Sequence, residues 1–167
     1  MPKSKSNKGF SLIELVVVCV IIGVLTSIAL PKYRRTVDRA RVGEALTLLR
    51  SIYDSCERYG FVHPHQDGNV TRTDCGSAVA EGATFSRLDI IVKGTFSNEG
   101  KTLTTDNFSY TLPTTVGGPV VARATKGDYA GAEIHFNGRI LTCNTADATG
   151  EGLKACSVWG SANWNQD

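Results

Sequence analysis

The chain has 167 residues, of which 41% are hydrophobic and 20% are charged. This composition fits one compact domain with an additional segment, and it excludes a fully disordered chain and an all-membrane protein. The net charge of +2 is uneven, because residues 1–9 hold three lysines and no acid; without them, 15 basic residues face 16 acidic ones. Because bulk electrostatic capture of nucleic acid needs a concentrated positive surface, this near-neutral balance argues against nucleic-acid binding as the main function.

An apolar run follows the basic start. Residues 10–30 contain only one side chain that is charged at neutral pH, Glu14, and in a helix they extend for about 31 Å, the thickness of a bilayer's hydrocarbon core. A secretory signal peptide is the alternative interpretation, with Ser27-Ile28-Ala29 as its small-residue cleavage pattern. Against it, a disposable leader has no reason to carry Glu14, since a carboxylate within lipid is unfavourable.

A helical pattern continues beyond the apolar run. Its mostly apolar stripe recurs at steps of three and four residues: Tyr33, Val37, Arg41, Ala45, Leu48, Leu49, Ile52, Cys56 and Tyr59. The pattern predicts one helix over about residues 10–59, with its first half in lipid and its second half amphipathic. Gly23 and Pro31 both weaken a helix, so we predict a hinge between the two halves.

The amino terminus resembles the signature of type IV pilins and of the related pseudopilins of type II secretion. The residues that carry this resemblance are Lys8-Gly9-Phe10-Ser11-Leu12-Ile13-Glu14-Leu15-Val16-Val17-Val18 together with Pro31. The resemblance covers residues 1–59 closely and the rest only in layout. It implies cleavage between Gly9 and Phe10 by a prepilin peptidase, N-methylation of Phe10, and retention of the apolar helix.

The resemblance also implies an α+β pilin fold, localisation and partners. The precursor is expected to cross the inner membrane once, with its head in the periplasm or outside, and then to enter an extracellular pilus. The expected partners are the membrane before assembly, the inner-membrane pilus assembly machinery, and other copies in a helical filament. The implied division of the chain is a leader (1–9), a transmembrane helix (10–31), an amphipathic stem (32–59) and a head (60–167).

Glu14 has a predicted role in assembly. Cleavage creates an amino group on Phe10, and a carboxylate in hydrocarbon is tolerable chiefly when it is paired. In a staggered filament, Glu14 of one chain can meet the Phe10 amino group of another. The alternative is that Glu14 reaches the membrane interface or pairs with its own amino end.

Four of the five cysteines follow the apolar run, an even number that indicates two disulfides in an oxidising compartment. Three pairings are possible, and Cys56–Cys75 with Cys143–Cys156 is favoured because both close short loops. No C-x-x-C pair occurs, which makes zinc a weak alternative. A carboxy-terminal disulfide loop resembles the D-region of pilins and favours a pilus over a secretion pseudopilus. Cys19 is interpreted as a small buried hydrophobe.

The head pattern is extended rather than helical. We expect a long αβ-loop over residues 60–82, an irregular strand over residues 85–96, and strands at residues 108–112 and 120–125. Asn137-Gly138 predicts a two-residue type I′ turn, which sets Phe136 opposite Arg139 and Ile134 opposite Leu141. The apolar face of this sheet, over about residues 85–143, should pack on the stem.

The sequence holds no common catalytic motif, and we expect neither enzymatic activity nor a cofactor. His63 and His65, with Asp67 or Asp74, could bind a metal, but we interpret them as exposed loop residues. The favoured function is a pilus subunit. The alternatives are a secretion pseudopilin, a DNA-uptake pilin and a secreted hydrolase.

Overall fold

The computed structural model describes residues 10–63, 74–127, 129–144 and 151–159. Within these residues the fold is α+β, as predicted: a long amino-terminal helix is followed by a six-stranded antiparallel sheet. The chain divides into two compact units, one ending at Val37 and one beginning at Asp38.

Helix α1 covers Leu12–Val62 without interruption, close to the predicted 10–59. Beyond Asp38, the apolar stripe of the helix packs into the core of the head. Its buried residues are Val42, Ala45, Leu49, Ile52 and Cys56. Tyr33, which the pattern also assigned to the stripe, is 67% exposed. The three- and four-residue spacing of the stripe is therefore confirmed, but the buried part of the stripe begins later in the chain than predicted.

Two short helices were not predicted. Helix α2 begins after Asp74, whose side chain caps it by accepting a hydrogen bond from the Ser77 backbone N–H at 2.8 Å. It occupies part of the predicted loop at residues 60–82, and the end of α1 occupies residues 60–62, so the loop prediction is wrong for both segments. Residues 64–73 of that loop lie outside the described residues. Helix α3 begins within the carboxy-terminal disulfide loop and extends beyond Cys156. Their bounds are Cys75–Ala80 and Glu151–Trp159.

The sheet is a meander in which each strand pairs with the next in chain order. The predicted strands at residues 108–112 and 120–125 are confirmed as β3 and β4. The irregular strand expected over residues 85–96 is wrong for most of its length, since only its end pairs with the sheet. The strands are β1 Thr95–Ser97, β2 Thr102–Thr104, β3 Phe108–Thr111, β4 Val120–Ala124, β5 Glu133–Phe136 and β6 Leu141–Asn144.

The first hairpin was missed because each of its strands has only three residues, too few to show an alternating apolar pattern. Its turn places Asn98, Glu99 and Gly100 at φ of 51°, 55° and 80°. Left-handed conformations are unfavourable for residues other than glycine, asparagine and aspartate, so Glu99 is the unusual member.

The last hairpin forms, but its predicted register is wrong. Phe136 pairs with Leu141 and Ile134 with Cys143, so the loop holds four residues rather than two. The Asn137 side chain explains the difference: its Oδ1 accepts backbone hydrogen bonds from Arg139 at 3.2 Å and Ile140 at 2.8 Å. An asparagine that closes a turn through its side chain replaces the turn that its backbone alone would have made. Because the shift is two residues, the same side chains still face inward.

Candidate assembly site

The amino end of α1 holds the two residues predicted to act in assembly, Phe10 and Glu14. Phe10 is 82% exposed. The Glu14 carboxylate accepts a hydrogen bond from the Ser11 backbone N–H at 3.0 Å. Gly9, on the other side of the predicted cleavage bond, lies outside the described residues.

The contact of Glu14 is half of a capping box. Ser11 immediately precedes the helix and Glu14 is its third residue, which is the S-x-x-E arrangement in which the acid reaches back to the N-cap amide. The S-x-x-E spacing of Ser11 and Glu14 is visible in the sequence, but the capping box was not predicted. A carboxylate has about four acceptor positions, so this hydrogen bond leaves capacity for a further donor.

The apolar part of α1 is exposed along its whole length. The helix contains an 18-residue window that is long and apolar enough to cross a membrane, and no part of that window is buried. Cys19, interpreted as buried, is exposed in the single chain. Contiguous exposed apolar surface of this extent marks a site for lipid or for other proteins. The large exposed side chains are Leu12, Ile13, Leu15, Val16, Val17, Val18, Val20, Ile21, Ile22, Val24, Leu25, Ile28 and Leu30.

The helix passes through both residues of the predicted hinge. A Cβ atom at Gly23 would meet no other atom within 4 Å, so nothing in the single chain requires glycine there. Pro31 lies inside the helix as well. The hinge at Gly23 and Pro31 stays a prediction.

The structure joins Cys56 to Cys75 and Cys143 to Cys156, the two pairs favoured from the sequence. The first links the buried face of α1 to the start of α2. The second links β6 to α3, where Trp159 packs against Phe108 and Tyr129 with ring centroids 6.5 and 6.1 Å apart. Each cross-link stabilises the head by restricting the unfolded chain, by roughly 3 kcal/mol for loops of this length.

A polar cluster anchors the segment before β1 to the stem. Arg58 binds the Asp89 carboxylate through two nitrogens, at 2.8 and 3.0 Å. The hydroxyl of the buried Ser55 donates to the same carboxylate and accepts from the Asp89 backbone N–H. The hydrogen bonds from Arg58 and Ser55 lower the pKa of Asp89 to about 2.

Among the residues that the structure describes, no group of three side chains is arranged to hold a metal ion. The His63 ring stacks on Tyr59, with centroids 4.2 Å apart. Asp74 is engaged as the cap of α2. His65 and Asp67 lie outside the described residues.

Comparison with known proteins is informative for the amino-terminal region. Residues 4–30 match the family model described as the prokaryotic N-terminal methylation motif. The chain is 41% identical over 65 residues to a fimbrial protein of Neisseria meningitidis serogroup B, covering 39% of this chain and 38% of that protein. It is 56% identical over 50 residues to a fimbrial protein of Moraxella nonliquefaciens, covering 30% and 32% of the two chains.

A third relative is the type IV major pilin protein PilA of Myxococcus xanthus, 45% identical over 47 residues that cover 28% of this chain and 21% of the relative. The matched part of the chain therefore spans well under half the length of these curated relatives. No solved structure gives a significant match.

Proposed function

We propose that the chain, whose amino-terminal region is similar to that of type IV pilins, is the structural subunit of an extracytoplasmic type IV pilus. In this proposal the precursor spans the inner membrane once. Prepilin peptidase cleaves it between Gly9 and Phe10, the new amino group is methylated, and the assembly machinery adds the chain to a filament of identical copies.

The exposed apolar half of α1 is the observation that carries the proposal. No part of its membrane-length window is buried in the chain itself, yet the same helix continues into the stem that the head packs on. Removing it as a leader would interrupt a continuous helix. Retaining it gives every copy an apolar rod that is stable only in lipid or beside other such rods.

Glu14 provides the electrostatic part of the proposal. Its hydrogen bond to the Ser11 amide holds the carboxylate at the start of the helix, beside the residue that cleavage makes terminal. The remaining acceptor positions can receive the charged amino group of a neighbouring copy's Phe10. In an apolar bundle that pairing would replace the hydration of both charges, and it would favour addition of a subunit at one axial stagger.

A pilus is favoured over a secretion pseudopilus by the carboxy-terminal region. The Cys143–Cys156 cross-link closes a loop of the kind that pilins carry there. The relatives with which the chain aligns are named fimbrial proteins and major pilins.

Mass spectrometry of the native amino terminus tests the processing step. We expect a mature chain that begins at Phe10 and carries one added methyl group. A mature chain that begins at Leu30, after the Ser27-Ile28-Ala29 pattern, would show that the apolar helix is a discarded leader and would overturn the proposal.

Two variants of Glu14 test the assembly step, and their comparison separates charge from helix capping. Glu14→Gln keeps an oxygen that can accept from the Ser11 amide but has no charge, whereas Glu14→Ala loses both. If pairing with a neighbour's amino group drives assembly, both variants should form few or no filaments while the head stays folded. Normal filaments from Glu14→Gln would show that only the cap matters.

A further inference from the structure

Three basic side chains lie immediately beyond the apolar half of α1. Lys32, Arg34 and Arg35 are exposed, and they are the first charged residues after Glu14. At 1.5 Å per helical residue, Arg35 is about 7.5 Å beyond Leu30. A polar headgroup layer is roughly 5–8 Å thick on each side of the hydrocarbon core, so all three fall within it when the apolar half spans a bilayer.

These three residues, here called the basic collar, lie on one side of the helix. At 100° per residue, Lys32 and Arg34 lie about 160° apart, and Arg35 lies within that arc, about 100° from Arg34 and about 60° from Lys32. Between them in sequence is Tyr33, 67% exposed, an aromatic residue of the type found at headgroup depth. Tyr33 lies outside the arc of the three charges, so basic and aromatic side chains occupy opposite sides of the helix at this depth, where lipid headgroups surround it.

The charges of the basic collar are not used within the described residues: no hydrogen bond or ion pair there engages the charged group of Lys32, Arg34 or Arg35. The next two basic residues differ. Arg39 donates to the Val158 carbonyl at 2.9 Å, and Arg41 pairs with Asp38 at 3.3 Å.

We propose that the basic collar binds the phosphate groups of anionic phospholipids in the headgroup layer on the side of the head domain. Arginine presents paired donors that match phosphate oxygens, and basic residues near an anionic membrane surface are attracted to it. The collar thus fixes the depth of the helix before assembly, and extraction into a filament requires its release from lipid. This inference rests on the membrane insertion proposed above.

Electron spin resonance of reconstituted chain tests the proposal. Spin-labelled phosphatidylglycerol and phosphatidylcholine report the fraction of each lipid that is slowed at the protein surface. We expect about a threefold or greater preference for phosphatidylglycerol at low salt, and a smaller preference when sodium chloride shortens the screening length. The variant Lys32→Gln/Arg34→Gln/Arg35→Gln should lose most of the preference. Both chains keep Lys3, Lys5 and Lys8, so any contribution from those lysines cancels.

The matched control removes the same charge from three exposed residues elsewhere: Arg50→Gln/Lys93→Gln/Arg139→Gln should keep the preference. Three outcomes would overturn the inference while insertion stands. Both lipids could be slowed equally, the collar variant could keep the preference, or inorganic phosphate could reduce it more than sodium chloride of equal ionic strength. The last would identify free phosphate as the ligand. If neither lipid were slowed, the chain would not be inserted, and the proposed function would fail as well.

Discussion

The two halves of α1 contrast in how they use apolar side chains. The half in the amino-terminal unit exposes all the apolar side chains of residues 12–30, with Leu12 81% and Leu25 62% accessible. The half in the second unit buries its stripe, with Leu49 and Ile52 inaccessible. The second half has its partner surface within the chain, whereas the first is stable only beside another molecule. The following predictions test this division, from the largest expected effect to the smallest.

Removal of residues 1–30 should abolish filament formation completely and leave the head folded. The buried core of the second unit begins at Val42, so the truncation removes none of it. Size-exclusion chromatography should give a monomer, and circular dichroism should show cooperative unfolding. Filaments formed by this truncated chain would contradict the division of the helix.

The same kind of truncation in each half should affect head stability very differently. Leu49→Ala leaves a cavity in the core and should lower the free energy of unfolding by about 2–5 kcal/mol. Ile21→Ala, at a 52% exposed residue of the other half, should leave it unchanged. Guanidinium unfolding in detergent, followed by tryptophan fluorescence, measures both; equal losses would show that the apolar half supports the head.

Two glycines sharpen the contrast. Gly138 has φ of 89°, and a Cβ atom there would overlap the ring of Tyr53, so Gly138→Ala should destabilise the head by about 1–3 kcal/mol. Gly23→Ala meets open space and should not change head stability. The same unfolding assay compares them. Loss of head stability on Gly23→Ala would show that the two halves are coupled.

The smallest effect is expected at Asp89. Its pKa of about 2 is below the ordinary value of 3.8, so its contribution to stability is complete above pH 3.8 and is lost as pH falls through about 2. Asp89→Asn should lower the melting temperature slightly near neutral pH and make its fall between about pH 4 and pH 2 shallower. Asp106→Asn, at an exposed loop residue, is the control. An unchanged acid profile in Asp89→Asn would show that the Arg58 contact does not stabilise the head.

Much of this architecture could be predicted because apolar spacing is visible in sequence. Ala45, Leu49, Ile52 and Cys56 recur with the helical period and are buried. The apolar spacing of the helix does not show at which residue the helix begins to contact the sheet, because that depends on strands far away in the sequence. That is why Tyr33 was wrongly assigned to the same stripe.

Side-chain hydrogen bonds account for several remaining errors. Asn137 changed the register of the last hairpin, and Asp74 started a helix within a predicted loop. At the candidate assembly site, the Ser11–Glu14 contact follows the S-x-x-E spacing of a capping box, which is present in the sequence but was not predicted. Such contacts decide between local alternatives that have similar apolar patterns.

The order of the sheet has a consequence for how the head is made. Because each strand after β1 pairs with its immediate predecessor, no strand has to wait for a distant segment, and pairing can advance from β1 to β6 in chain order. The bonding partner of Cys143 in β6 is Cys156 in α3, which follows the last strand along the chain. Oxidation of that pair would therefore come after every strand of the sheet has become available for pairing.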